Sequence, residues 1–191
     1  MRKNFEKAMV TPLPVLMIGT YDEEGNANVM NIAWGGQCGP KHIAINIGLP
    51  EVEKKTLTNI KSKKEFTLSY ATKDTMAISD YFGLFSGNVV DKIAEAEVTV
   101  EKAENVDAPI IAEYPLTAEC KVIEMVENDL GEMHVIGEIV NVSADESILD
   151  DDGNVSVDKL QPIAFDSIGN TYRIVGDVVG TAFEDGIKVK K

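Results

Sequence analysis

Pro14-Val-Leu-Met-Ile-Gly-Thr-Tyr-Asp-Glu-Glu-Gly-Asn-Ala-Asn-Val-Met-Asn-Ile-Ala-Trp34-Gly-Gly reads as one strand, a turn and a second strand. The apolar run Pro14–Thr20 is broken by Asp22-Glu-Glu-Gly-Asn, whose Gly and Asn suit a tight connection between antiparallel neighbours. The second run, Ala27–Trp34, ends in the only tryptophan of the chain, followed by two glycines. Paired glycines let another group lie against bare backbone, and an indole beside them offers a flat apolar wall with one donor. Together they make a seat for a planar heterocycle.

Working outward, further short runs bounded by turn residues read as strands: His42–Gly48, Glu65–Ala71, Ala118–Val126, Met133–Val142 and Arg173–Val179. Glu127-Asn-Asp-Leu-Gly-Glu forms a second turn between neighbours that pair antiparallel. Seven strands of this kind predict a barrel or a sandwich. Helical signals cluster in the middle. Pro50 lies at an entry, and Thr56 is a candidate cap for a helix carrying Leu57 and Ile60. Asp74–Leu84 and Asn88–Ala96 also read as short helices, with Asp74 as the expected cap of the first. The expectation is a mainly β protein, a single domain over residues 1–191, with a few short helices packed on one side.

Composition narrows the function. A net charge of −14 argues against nucleic acid or an anionic membrane as partner, because both require a basic face. The opening Met-Arg-Lys-Asn-Phe-Glu-Lys has no apolar core of signal-peptide length, and no run approaches the ~18 apolar residues of a membrane span. Cys38 and Cys120 fit neither a disulfide framework nor a metal spacing, so free thiols in a cytoplasmic protein are expected. Cys38 follows Trp34 closely but has no partner cysteine nearby, which favours a structural thiol over a redox one. His42 and His134 are the only histidines, poor material for a metal centre, and His134 reads as a cross-strand neighbour. Ser143–Asp158, with Asp150-Asp-Asp-Gly-Asn, lacks the register of a calcium loop and reads as an exposed acidic turn. Neither a GxGxxG nor a GxxxxGK[ST] loop is present, which argues against a Rossmann or P-loop site.

Five of the eighteen basic residues fall within Lys54–Lys64. Lys54 and Lys55 beside Thr56 at a helix N-terminus would offer a phosphate monoester backbone N–H groups, a hydroxyl and countercharge. The alternative is a solvent-facing basic helix. Ser79-Asp-Tyr-Phe-Gly-Leu-Phe-Ser-Gly-Asn-Val-Val-Asp-Lys92 forms a third patch, in which Ser86-Gly87 turns the chain and Lys92 either reaches a phosphate or pairs with Asp91 at the surface.

These segments, in order, resemble the flavin reductase-like family, in a flavoredoxin-type form. The resemblance rests on Pro-Val-x-Met-Ile-Gly-Thr at Pro14–Thr20, Gly-Asn-x-Asn-x-Met-Asn-Ile-Ala-Trp at Gly25–Trp34, Thr-x-x-Asn-Ile at Thr56–Ile60 and Phe-Thr-Leu-Ser at Phe66–Ser69. It continues through Ser-Gly-x-x-Val-Asp-Lys at Ser86–Lys92, Ala108–Cys120 and Tyr-Arg-x-Val-Gly at Tyr172–Gly176. It implies an antiparallel Greek-key split β-barrel that binds FMN and works as a homodimer. Flavin contacts would fall on Asn28, Asn31, Ile32, Ala33 and Trp34 for the ring, on Thr56 with Lys54 or Lys55 for the phosphate, and on Ser86 and Lys92 for the polar shell. Ile93 departs from the pattern, since relatives often carry Phe there.

The resemblance further implies a flavoprotein oxidoreductase that takes electrons from NADH, NADPH or a protein donor and passes them to an unidentified acceptor. No Ser/His/Asp or Cys/His constellation is needed, because the chemistry resides at the flavin N5. Two alternatives stay open: a reductase that releases reduced FMN to a partner monooxygenase, and a carrier or sensor that binds FMN without turnover.

Overall fold

The computed structural model describes residues 1–6 and 10–190, so Lys7, at the end of the basic opening stretch, lies outside the described residues. The elements run β1 Leu13–Pro14, β2 Leu16–Tyr21, β3 Ala27–Ile32, β4 Gly35–Gly39, β5 His42–Gly48, α1 Lys55–Lys63, β6 Glu65–Tyr70, α2 Met76–Leu84 and α3 Lys92–Ala96. They continue with β7 Val100–Lys102, β8 Pro109–Ile111, β9 Leu116–Asn128, β10 Glu132–Ala144, α4 Val157–Leu160, β11 Ile163–Asp166 and β12 Thr171–Ile174.

Seven strands form one antiparallel sheet in the order β3-β2-β6-β9-β10-β5-β4. Its two edges, β3 and β4, are joined by Ala33 and Trp34 alone. Flat, seven strands would hold the edges about 29 Å apart at ~4.8 Å per spacing. The three peptide steps from Ile32 to Gly35 reach at most about 11 Å. The sheet must therefore roll up, and it becomes a barrel split along β3 and β4, with the Asn46 N–H donating to the Trp34 carbonyl at 2.8 Å. Strands β5 and β6 are consecutive in the chain yet lie apart in the sheet, so the connection through α1 crosses over in Greek-key fashion.

The barrel interior is filled by Leu16, Ile18, Met30, Ile32, Ile43, Ile45, Ile47, Phe66, Leu68 and Val135, with Leu57 and Ile60 supplied by α1. Gly137 is required inside it, because a Cβ there would lie 2.8 Å from the Phe66 ring. A second core, outside the barrel, packs Val15, Met17 and Val29 against Phe82, Ile111, Tyr114 and Ile163. Burial on both faces of β2 explains why its sequence is continuously apolar rather than alternating. A separate sheet of order β1-β11-β12 flanks the barrel.

Both expected hairpins form, β2 with β3 and β9 with β10, and His42–Gly48 is a strand over the expected span. Several boundaries differ. The cap of α1 is Lys54, and Thr56 lies inside the helix. The cap position of α2 is Thr75 rather than Asp74, with Thr72 and Thr75 bonded to each other. Only Lys92–Ala96 of the expected Asn88–Ala96 helix is helical, because the Asp91 carboxylate caps it by accepting from the N–H groups of Ile93 and Ala94. The last expected strand is shorter and starts earlier, at Thr171–Ile174. Ser143–Asp158 is not simply an exposed loop: it carries a short 3-10 turn, Glu146–Ile148, with Ile148 buried. Its acidic turn is self-contained, with Asp150 accepting from the N–H groups of Asp152 and Asn154. Among the described residues, no helix is long and apolar enough to cross a membrane.

Candidate functional site

The split in the barrel is where the chain's unpaired chemistry collects. Because β3 pairs only with β2 among the described residues, the backbone groups on its other edge are free of ladder bonds there. Along that edge run two cavities of about 230 and 440 Å³, which share Met30, Asn31 and Lys54 and so form one trough. Their sizes together fall in the range of roughly 300–1,000 Å³ usual for small-molecule sites.

One end of the trough is cationic. It is lined by Asn28, Lys54, Lys55, Thr56, Ser86 and Lys92. The nine-residue helix α1 points its N-terminus here without any side-chain cap, leaving first-turn N–H groups for a ligand. The Thr56 hydroxyl is fixed by Asn28, whose Nδ2 donates to Thr56 Oγ1 at 2.8 Å in a buried setting. Gly87 allows this: a Cβ there would stand 2.1 Å from Asn28 Oδ1. Lys55 is partly neutralised by Asp22 at 3.0 Å. Lys92 is only 4% exposed and donates to the Phe82 carbonyl at 3.1 Å, with the Phe82 ring beneath it. Among the described residues, neither Lys54 nor Lys92 has a carboxylate within pairing distance. Burial first, and then the Lys54 charge, push the Lys92 ammonium down to about 8. Two such cations beside an uncapped helix are the chemistry that a multiply charged anion would require.

The other end is mostly apolar, lined by Val15, Ile32, Ala33, Trp34, Ile47, Phe165 and Tyr172, with Asn31 and Asn46 as polar points. Asn31 Nδ2 donates to the Ser79 carbonyl at 2.8 Å, which ties β3 to α2 and fixes the amide. Tyr172 packs on Phe165 and donates to Asp80 at 2.7 Å. Burial, followed by the bond to Asp80 and its charge, pushes the phenol up to about 12. Trp34 is 62% exposed, so it offers its indole at the mouth rather than as core.

All ten residues singled out from the sequence line this trough. Asn31, Ile32, Ala33, Trp34 and Lys54 line the apolar end; Asn28, Lys55, Thr56, Ser86 and Lys92 line the cationic end. Three details differ from expectation. Thr56 acts from inside the helix rather than as its cap, Asn28, expected beside the ring, lines the cationic end and holds Thr56, and the Ser86 hydroxyl oxygen already accepts from the Asn88 N–H at 3.3 Å. Of the two readings open for Lys92, the surface pair with Asp91 does not form, because Lys92 is buried and Asp91 caps α3. Sequence reasoning missed Asn46, Phe165 and Tyr172. The signal for the aromatic pair was present in the Gly169-Asn170 turn, which marks a hairpin that brings residues 165 and 172 opposite each other. His134 is the cross-strand neighbour of Asn46, as expected, and its Nδ1 lies 2.7 Å from Asn46 Oδ1. Cys38 is exposed on β4 and Cys120 is buried in the barrel, and both are unpaired.

A family model described as a flavin reductase like domain matches residues 9–160. Among solved structures, the chain resembles flavoredoxin of Desulfovibrio vulgaris (Miyazaki F), with a TM-score of 0.89 and 34% identity, over 97% of this chain and 100% of that one. It also resembles flavoredoxin from Methanosarcina acetivorans, with a TM-score of 0.87 and 26% identity, over 99% of this chain and 98% of that one. A curated but uncharacterized protein of Aquifex aeolicus (strain VF5) is 25% identical over 171 residues, 87% of this chain and 85% of that protein.

Proposed function

This chain belongs to the flavin reductase-like family, and from that premise we propose that it is an oxidoreductase holding FMN in the trough along the barrel split. The ring system would lie against the free edge of β3, over Asn31, Ile32, Ala33 and Trp34, with Asn28 at the cationic end holding the Thr56 hydroxyl toward the phosphate. The phosphate would sit at the N-terminus of α1 on Thr56, Lys54 and Lys55, with Ser86 and Lys92 completing the shell.

The observation that carries this reading is Lys92, a buried ammonium with no carboxylate partner among the described residues, facing the uncapped helix. Leaving a charge buried and unpaired is costly unless a ligand supplies the countercharge. The remaining parts fit the same group: a hydrogen-bonding strand edge for a heterocycle, apolar walls for its faces, and a cationic end for a dianion. When bound, FMN supplies a ring that stores electrons and exchanges them at N5. The chain's own work is to anchor the tail, to present Asn31 and the β3 edge to the ring, and to leave the Trp34 side open for a second reactant. We take the donor to be NADH, NADPH or a reduced protein and the assembly to be a cytoplasmic homodimer; the acceptor is left unidentified.

The test is a fluorescence titration with FMN followed by anaerobic mixing of the loaded protein with NADH and, separately, NADPH. Failure to bind FMN overturns the reading. Bleaching of the flavin band at ordinary turnover rates, about 1–10³ per second, identifies the nicotinamide donor. Tight FMN without bleaching assigns the donor role to a protein.

A further inference from the structure

The cationic end of the trough lies between two walls distant in sequence. One is the segment from Pro50 to Thr56 that leads into α1, and the other is the loop from Leu84 to Lys92 between α2 and α3. Among the described residues, one hydrogen bond joins them: Asn88 Nδ2 donates to the Glu53 carbonyl at 2.8 Å. The two sides of that bond are unequally held. Glu53 is tied down, because its carboxylate accepts from Thr58 Oγ1 and pairs with Lys61, both on α1. The loop is held chiefly by its own turn, with the Val89 and Val90 N–H groups donating to the Ser86 carbonyl and the Asn88 N–H to the Ser86 hydroxyl. Its outer side chains have little packing, Val89 being 82% exposed.

We propose that Asn88 is a latch that governs flavin exchange, closing the loop across the phosphate end of the trough onto a rigid carbonyl of the opposite wall. The inference rests on the FMN reading above and goes beyond it, because it concerns whether the flavin is retained or released rather than what binds it. A latch of this kind lowers association and dissociation rates together, since the ligand passes the same bond in both directions. A direct ligand contact would change dissociation and affinity together. With Asn88 in place, exchange is slow and the protein behaves as a carrier; weakening the bond moves it toward a protein that gives up its flavin.

The experiment compares wild type and Asn88→Ala by stopped-flow FMN fluorescence and by amide hydrogen exchange of the flavin-free protein. The expected result is a roughly three- to tenfold rise in both rate constants, the range one neutral hydrogen bond supports, with the dissociation constant within about twofold. Exchange at the Val89 and Val90 amides rises by a similar factor, while that of Ile60 in α1 stays unchanged. Unchanged rates overturn the latch, as does faster dissociation at constant association rate, which makes Asn88 an ordinary contact. Absence of FMN binding in wild type removes the functional reading instead, and unchanged exchange at Val89 and Val90 then still refutes the latch. Glu53→Ala, which unties the acceptor side, is expected to produce the same phenotype and to leave Asn88→Ala little further to change.

Discussion

Replacing Lys92 with methionine separates a functional lysine from a structural one, because the two roles predict opposite signs. In the flavin-free protein the buried ammonium is held down to about 8 from its ordinary 10.5, chiefly by burial. At ~1.36 kcal/mol per pKa unit, this corresponds to about 3 kcal/mol of lost stability at pH 7. Methionine keeps the apolar stem and removes that cost, but leaves the Phe82 carbonyl without its donor, which takes back about 1–2 kcal/mol. The net expectation is a flavin-free variant more stable than wild type by about 1–2 kcal/mol, or ~2–8 °C in Tm for a chain of this size. FMN binding moves the other way. Losing one charged hydrogen bond to phosphate costs roughly 1.5–3 kcal/mol, which is about 10- to 100-fold in Kd. Thermal melts at pH 7 without ligand, paired with a fluorescence titration, read both quantities. A variant that melts lower than wild type and binds FMN with unchanged affinity would refute the reasoning and return Lys92 to the core as a residue satisfied by Phe82 alone.

FMN affinity should also depend on pH through Lys92. Because its ammonium is lowered in the flavin-free fold, the stability penalty grows as pH falls from 10.5 toward 8 and is complete below 8; a bound dianion offsets it. Affinity is therefore flat between about pH 6, where the phosphate becomes dianionic, and about 8, then falls as binding must take up a proton. Titrations from pH 6.5 to 9.5 check this, and Lys92→Met should abolish the alkaline fall. Gly87→Ala places a Cβ 2.1 Å from Asn28 Oδ1, and Asn28 cannot retreat without losing Thr56. The expected cost is about 1–3 kcal/mol by urea denaturation, with weakened FMN binding; a cost under about 0.5 kcal/mol would mean that the Asn28 amide is freer than its burial suggests.

Much of this was legible in the sequence where a local pattern had a local cause. The β2–β3 hairpin announced itself through Asp22–Asn26, where the Asp22 carboxylate accepts from the Asn26 N–H at 2.7 Å. Strand β5 alternates buried isoleucines with half-buried residues over its whole length, and its bounds are those the alternation predicts. What escaped was whatever tertiary pairing imposes. Gly35–Gly39 has little β propensity and becomes a strand only because β5 offers it an edge. Thr56 resembles a cap because capping is a property of residue type, whereas α1 starts at Lys54 and the Thr56 hydroxyl oxygen is occupied by the Asn28 amide of the next wall, which donates to it.

The same distinction explains the site. Each residue that the sequence marked belongs to a segment with its own signal, but their convergence depends on one long-range fact, that two residues join opposite edges of a seven-stranded sheet. Rolling the sheet leaves the β3 edge unpaired beside α1, and the α2–α3 loop folds over the gap. Lys92 is the sharpest instance. From spacing alone it was equally a surface partner of Asp91 or a phosphate ligand. Asp91 is committed to capping α3 through the Ile93 and Ala94 N–H groups, so the short helix turns its first lysine inward, over the Phe82 ring and toward Lys54. The capping of a five-residue helix thus decides where a buried charge goes, and with it the end of the trough to which the proposed phosphate site is assigned.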